Sequence, residues 1–165
     1  MLYLLDANVL IDASRDYYPL DRVPEFWAWL LHYGDSGTVK LPLEIFEEIS
    51  QGTDDLALWI KQPTMKAALR LGGAVDPKLV ARAVSVGYAP DLTEDEIAKL
   101  GRDPFLLAYA LANPKGHCIV TTEVSKPTKT RANRHLPDVA RHFGIDVCNT
   151  FELTRRLDFR TNWKP

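Results

Sequence analysis

Four short apolar segments, with helical patterns between them, restrict the possible fold of this chain most. They lie at residues 2–5, 38–41, 118–121 and 145–148. Buried strands of this length, joined through helices, form parallel sheets because each connection must cross back over the sheet. We therefore expect an α/β fold of three layers, in which helices flank a central, mostly parallel sheet of four to five strands.

The segments between these strands carry apolar residues at helical spacings. Helices are expected near residues 9–11, 24–33, 42–49, 56–60, 77–86, 93–100, 103–112, 136–143 and 150–157. Gly34 and Gly52 are expected to end two of them, Thr93 and Glu96 form a capping-box pattern, and Thr150 is expected to cap the last helix. The part from about 54 to 100 is thus a helical segment between core elements.

The composition fits one globular domain over residues 1–165. The chain has a mass of 18.6 kDa, with 46% hydrophobic and 25% charged residues, which is enough apolar material for a core. No apolar stretch approaches the ~20 residues that span a bilayer, and no leader pattern opens the chain. We expect a cytoplasmic protein that does not enter membranes, with Cys118 and Cys148 as buried, reduced thiols.

Charge is distributed unevenly although the net charge is only −2. Residues 1–100 contain 9 basic and 16 acidic side chains, whereas residues 101–165 contain 11 and 6. A basic C-terminal part is compatible with a surface that binds a polyanion, and equally with two solvated faces.

Four acidic residues stand at the boundaries of predicted elements. Asp6 follows the first strand, Glu48 lies on the helix after the second, Asp103 begins an apolar helix, and Glu123 follows the third strand. Ligands of parallel sheets bind beyond the carboxyl ends of the strands, where these acids are expected to meet. Gathered carboxylates repel one another, and Mg²⁺ or Mn²⁺ relieves that cost while supporting phosphodiester hydrolysis.

Each acid also has a structural interpretation. Asp6 is placed to cap the helix that follows it, and Asp103 before Pro104 has the pattern of an N-cap. Glu44 and Glu47 compete with Glu48 for a role on their shared helix. Glu123 lies in a polar loop, where an acid needs no special explanation.

The motifs around these acids resemble those of PIN-domain nucleases. The resemblance rests on Leu5-Asp6-Ala-Asn8, on Glu48 four residues before Gly52, on Asp103-Pro-Phe-Leu-Leu-Ala, and on Thr121-Thr-Glu123. It covers nearly the whole chain. A prokaryotic branch of uncharacterised PIN-like proteins is most similar, through Tyr18-Pro19, Pro24-Glu-Phe-Trp27, Asp54-Asp-Leu-Ala-Leu-Trp59 and Leu136-Pro-Asp-Val139 before Phe143-Gly144.

The resemblance implies a metal-dependent endoribonuclease of the type II toxin–antitoxin class, with RNA as substrate and an antitoxin as partner. Asp6, Glu48 and Asp103 are then the expected metal ligands. Glu123, where many family members have aspartate, is a peripheral catalytic residue. Asn8 and Thr121 are expected to hydrogen-bond the acids.

The loop from residue 123 to residue 134 is expected to contact RNA phosphates. Its basic residues are Lys126, Lys129, Arg131 and Arg134, with His135 beside them, and the alternative is a solvated loop. The aromatic-rich helix of residues 24–33 contributes mainly to the core, and a homodimer is expected if it presents an apolar patch.

Two other functions remain open from the sequence. One is a catalytically weak PIN-like module that binds a partner protein or RNA. The other is a haloacid-dehalogenase-type phosphatase, which needs a second aspartate two residues after the first. Asn8 occupies that position and disfavours the phosphatase.

Overall fold

A parallel sheet of four strands forms the centre of the protein. The computed structural model describes residues 1–164. The strands are β1 (Leu2–Leu5), β2 (Val39–Lys40), β3 (His117–Val120) and β4 (Asp146–Cys148). They are ordered β2-β1-β3-β4 and all neighbours pair in parallel. The predicted three-layer α/β fold is therefore confirmed, with four strands within residues 1–164.

Helices flank this sheet and fill most of the connections. They are α1 (Ala7–Asp12), α2 (Pro24–Asp35), α3 (Leu43–Ser50), α4 (Asp55–Ile60), α5 (Pro63–Leu69), α6 (Pro77–Arg82), α7 (Glu94–Lys99), α8 (Asp103–Leu111), α9 (Leu136–His142) and α10 (Thr150–Arg156). Helices α1 and α6 continue as π-helical turns, Ala13–Tyr17 and Ala83–Tyr88. The segment from 54 to 100 is helical as expected, but α5 was not predicted.

The core lies between the sheet and its helices. β1 and β3 are shielded on both faces, and Leu4, Leu5, Ile119 and Val120 have no exposed surface. Phe26, Trp27 and Trp29 of α2 are buried, as predicted for that aromatic helix. No helix among residues 1–164 combines the length and apolar character needed to cross a membrane.

The two cysteines lie side by side on neighbouring strands. Cys118 of β3 and Cys148 of β4 are both buried, and their sulfur atoms are 3.7 Å apart without a disulfide bond. The expectation of buried thiols is confirmed, and their proximity follows from the pairing of β3 with β4.

Two predicted helix boundaries are wrong for identifiable reasons. Gly34 lies in the last turn of α2, and Gly37, with a φ of 78°, is the glycine that follows the end of the helix. Gly34 instead allows α2 to approach α5 closely, since a Cβ there would lie 2.8 Å from the Leu69 Cδ2 atom. Asn149, not Thr150, caps α10, since its side chain accepts the backbone N–H of Glu152 at 2.8 Å. Thr150 is instead buried as the first helical residue.

Candidate active site

Asp6 and Thr121 are neighbours at the carboxyl edge of the sheet. Each directly follows its strand, and the register of β1 and β3 pairs Leu5 with Val120. The backbone N–H of Asp6 donates to the carbonyl of Val120 at 2.9 Å, which extends the strand pairing by one residue. This is the edge at which parallel α/β sheets bind ligands.

The Asp6 carboxylate is buried and lies within the electrostatic influence of other acids. It accepts a hydrogen bond from the Thr121 hydroxyl at 2.9 Å. Asp6 occupies the N-cap position of α1, yet its side chain makes no capping hydrogen bond there. Burial, together with the negative charges of Glu123 and Glu48, raises its pKa to about 6, and the Thr121 hydrogen bond opposes that rise.

Asp103 is presented at the same site by the first turn of α8. Arg102, not Asp103, holds the N-cap position of this helix, so the predicted capping role of Asp103 is wrong. Its carboxylate is partly buried and accepts a long hydrogen bond, 3.4 Å, from the hydroxyl of Tyr88. Burial and the charges of Asp6, Glu123 and Glu48 raise its pKa to about 8.

Glu48 is the acid of α3 that acts on this cluster. It is exposed near the end of the helix, and its charge contributes to the raised pKa values of both Asp6 and Asp103. The charges of Glu44 and Glu47 act instead on Tyr109. The residues whose pKa values each charge affects therefore distinguish Glu48 from Glu44 and Glu47.

Glu123 borders the cluster and is held by backbone groups. Its own N–H donates to the Thr121 hydroxyl oxygen at 3.1 Å, and its Oε2 accepts the N–H of Leu136 at 2.9 Å. The same oxygen lies 3.6 Å from Nδ1 of His135. Glu123 is thus fixed between the end of β3 and the start of α9.

The donor set of this cluster suits a hard divalent cation. All four side chains offer carboxylate oxygens, the ligands that Mg²⁺ and Mn²⁺ prefer, and two of them hold their protons unusually tightly because of burial and mutual repulsion. Within residues 1–164, no three acidic, histidine or cysteine side chains are already arranged to hold a metal ion. Like charges repel, so carboxylates without a cation tend to spread apart.

A polar pocket of about 370 Å³ adjoins the acids. It is lined by Tyr88, Lys99, Leu100, Asp103, Glu123, Lys126, Lys129, Ala132, Asn133, Arg134 and His135. Tyr88, Lys99 and Asn133 were not predicted from the sequence. Tyr88 ends a π-helical turn, a feature common at functional sites that has no clear sequence signal.

The predicted phosphate-binding residues do not all line this pocket. Lys126, Lys129 and Arg134 line it, whereas Arg131 is absent from its wall. The guanidinium of Arg131 makes ion pairs with Glu96 at 2.8 Å and Asp91 at 2.7 Å, which join the loop to α7 and the turn before it. The guanidinium of Arg131 is therefore already paired with acidic side chains of the protein itself.

Asn8 also differs from its predicted role. Its side chain is exposed, and it forms no hydrogen bond with any side chain or backbone group in the part of the protein that the structure covers, residues 1–164. Thr121 alone of the two predicted polar partners contacts an acid of the cluster.

A second cavity, an apolar groove of about 540 Å³, lies beside α2, α4 and α5. Its lining residues are Leu20, Asp21, Pro24, Trp27, Ala28, Leu31, Asp55, Leu58, Trp59, Gln62 and Met65. The outer surface of α2 thus contributes apolar area next to Leu58, which is 57% exposed.

The fold and the site together define a three-layer α/β protein with a carboxylate cluster at the carboxyl edge of its sheet. The chain belongs to the family described as domain of unknown function DUF4411, whose model matches residues 3–161 and so includes the whole cluster. No curated protein and no solved structure matches the chain.

Proposed function

We propose that this protein is a metal-dependent endoribonuclease that hydrolyses RNA phosphodiester bonds with Mg²⁺ or Mn²⁺. The observation that supports this best is that burial, together with the charges of Glu48 and Glu123 from distant parts of the chain, raises the pKa values of both Asp6 and Asp103. Buried carboxylates without a positive partner destabilise a fold, so Asp6 and the partly buried Asp103 at a ligand-binding edge favour a site for a cation.

In this proposal, Asp6, Glu48 and Asp103 hold the cation and Glu123 supports the site from its edge. The cation, when bound, lowers the pKa of water and stabilises the charge that develops on the phosphate. The Thr121 hydroxyl fixes the rotamer of Asp6, and the N–H of Leu136 fixes Glu123. Lys126, Lys129 and Arg134 attract and position the RNA backbone.

A mixed RNA pool, incubated with Mg²⁺, Mn²⁺ or EDTA, tests this activity. Cleavage is expected with either cation and is expected to disappear in Asp6→Asn, Asp103→Asn and Glu48→Gln. Glu47→Gln is the matched control, because Glu47 is an equally exposed acid of the same helix whose charge acts on Tyr109. Cleavage that persists in both aspartate variants contradicts the site.

The PIN-like motifs also support a cytoplasmic toxin of a type II toxin–antitoxin pair, with a cognate antitoxin and a homodimeric state. Growth arrest on expression in bacteria, absent for Asp6→Asn and relieved by the product of the neighbouring gene, tests the toxin role. Light scattering at micromolar concentration tests the homodimer, and a monomer there contradicts it.

The second candidate is a catalytically weak module that binds RNA or a protein partner. Its support is the basic wall of the neighbouring pocket, where Lys126, Lys129 and Arg134 can bind RNA phosphates without any cation. RNA binding without any cation-dependent cleavage, unchanged in Asp6→Asn, is the result that distinguishes this module from the nuclease.

A further inference from the structure

We infer that the pocket lined by Lys99, Lys126, Lys129 and Arg134 is a binding site for a phosphomonoester dianion, as found at the end of a phosphorylated RNA strand or on a free nucleotide. This inference rests on the proposed function in placing a nucleic-acid end beside Asp103 and Glu123. The binding itself requires no cation and no cleavage, so it can be measured separately.

Three lysines supply mobile positive charge to the pocket. Lys99, Lys126 and Lys129 are exposed, and none of them forms an ion pair with a side chain of residues 1–164. Lys99 donates only to the amide oxygen of Asn133, another residue of the pocket wall. No ion pair within the described part of the chain therefore compensates the charge of these ammonium groups. All three lysines line the same pocket.

Arg134 supplies a fixed positive charge. Its guanidinium donates to the backbone carbonyls of Gly87 and Asp138, and it has no carboxylate partner within the described chain. These two carbonyls hold the side chain in place without neutralising it. An anion in the pocket thus meets at least one cation that is already oriented, which lowers the entropic cost of binding.

His135 adds an unused polar atom. Its Nδ1 is buried and has no hydrogen-bond partner among residues 1–164, and Glu123 Oε2, at 3.6 Å, is too distant for a hydrogen bond. Buried polar atoms are nearly always satisfied in folded proteins. A ligand bound in this part of the pocket would supply a hydrogen-bond partner for Nδ1 of His135.

The charge and size of the pocket favour a phosphomonoester over a single phosphodiester. Four cationic side chains face Asp103 and Glu123, which leaves a surplus of at least two positive charges even when both carboxyl groups are ionised and His135 is neutral. A phosphomonoester carries about −1.5 to −2 at neutral pH and presents three strong acceptor oxygens, whereas a diester carries −1. The volume of about 370 Å³ is in the range of small-molecule sites.

This assignment also fits the proposed reaction. Hydrolysis of a phosphodiester adds water oxygen to phosphorus, breaks one P–O bond and leaves one phosphomonoester end, while the released hydroxyl takes a proton. A dianion site beside the acids would hold that product end, or an end that was phosphorylated before cleavage.

Titration calorimetry in EDTA at low salt, with AMP, adenosine and inorganic phosphate as probes, tests the site. AMP is expected to bind and adenosine is not, because the charge-assisted hydrogen bonds go to the phosphate. Lys126→Gln and Lys129→Gln are each expected to weaken AMP binding about tenfold. Lys115→Gln is the matched control, since Lys115 is an exposed lysine in the connection that enters β3 at the opposite edge of the sheet.

Oligoribonucleotides with a 5′-phosphate, a 3′-phosphate or no terminal phosphate distinguish a strand end from a free nucleotide as the source of the group. Equal binding of AMP and adenosine, or equal losses in Lys115→Gln and Lys126→Gln, overturns the assignment. AMP binding without RNA cleavage supports the pocket and contradicts the nuclease, whereas RNA cleavage without preference for AMP contradicts the pocket alone.

Discussion

The hydroxyl of Thr121 donates a 2.9 Å hydrogen bond to Oδ2 of Asp6, across the carboxyl ends of β3 and β1. The two residues are 115 positions apart in the chain, and the parallel register of their strands brings them together. The same hydroxyl accepts the N–H of Glu123, so one side chain orients two acids of the candidate site.

Removing this hydroxyl is expected to impair cation binding more than folding. Thr121→Val keeps the shape of the side chain but leaves Asp6 without its donor, which allows the pKa of Asp6 to rise further. Residues that orient metal ligands typically contribute about 10–100-fold to metal affinity or activity. The Mn²⁺ concentration needed for half-maximal RNA cleavage measures the effect.

Thr121→Ser is the control for that variant, because it retains the hydroxyl. We expect it to stay within about threefold of the wild type, since the donor of the charge-assisted bond is conserved. If Thr121→Val and the wild type respond to Mn²⁺ equally, the hydrogen bond serves the fold alone.

The strands and the acids were predictable because both depend on local pattern. Short apolar runs predict β1 and β3, and an acid directly after a strand needs only the general rule for parallel sheets. The register that joins Asp6 to Thr121 is a long-range property, and so is the tyrosine that reaches Asp103 from a π-helical turn. No local pattern in the sequence encodes either contact.

The role of Gly34 and the surroundings of Arg131 depend on distant partners in the same way. The sequence around Gly34 is typical of a helix end. In the structure this glycine lies within α2 and allows the helix to pack closely on α5. Arg131 has the charge of a phosphate contact, but two acids from the helical segment bind its guanidinium. In both cases the decisive partner lies more than thirty positions away in the chain.

Asp6 and Asp103 are expected to make the metal-free protein less stable as the pH rises. The pKa of Asp6 is raised to about 6 and that of Asp103 to about 8, from an ordinary value of 3.8 for both. For each group, between its ordinary pKa and its raised pKa, the folded chain binds more protons than the unfolded chain. The free energy of unfolding therefore decreases with increasing pH in that range. The loss spans about pH 4 to pH 8 and levels off above the higher pKa.

Urea unfolding in EDTA at several pH values measures this dependence. Asp103→Asn is expected to show a smaller loss than the wild type across the window, because its amide does not titrate. Added Mg²⁺ is expected to stabilise the wild type more at high pH than at low pH, since protons compete with the cation for the carboxylates. Parallel pH profiles for the variant and the wild type would contradict this linkage.

Arg131 is expected to position the loop of residues 123–134 rather than to contact RNA. Its guanidinium donates to both oxygens of Glu96, at 2.9 and 2.8 Å, and its own backbone has a φ of 55°, which is unfavourable for a side-chain-bearing residue. Arg131→Lys keeps the charge but loses the paired hydrogen bonds. Faster amide hydrogen exchange in the loop and weaker RNA binding are therefore expected even in this variant.

The salt dependence of RNA binding distinguishes positioning from contact. Loss of a phosphate contact reduces the slope of log affinity against log salt by about 0.7 for a single strand, and Lys126→Gln is expected to show this. Arg131→Lys is expected to retain the wild-type slope at lower affinity. Normal loop exchange together with a reduced slope in Arg131→Gln would identify Arg131 as a phosphate contact instead.

Gly34→Ala is expected to destabilise the protein although alanine favours helices. A Cβ at this position would lie 2.8 Å from Leu69 Cδ2 and 3.1 Å from the carbonyl oxygen of Ala68, so the buried Leu69 side chain and the adjacent backbone of α5 must both shift. Such overpacking costs about 1–3 kcal/mol, which exceeds the gain of about 1 kcal/mol in helix propensity over most of that range. Gly72→Ala is the control, since nothing lies within 4 Å of its added methyl group. Thermal unfolding measures both variants, and a Gly34→Ala protein as stable as Gly72→Ala would show that the contact between α2 and α5 relaxes without cost.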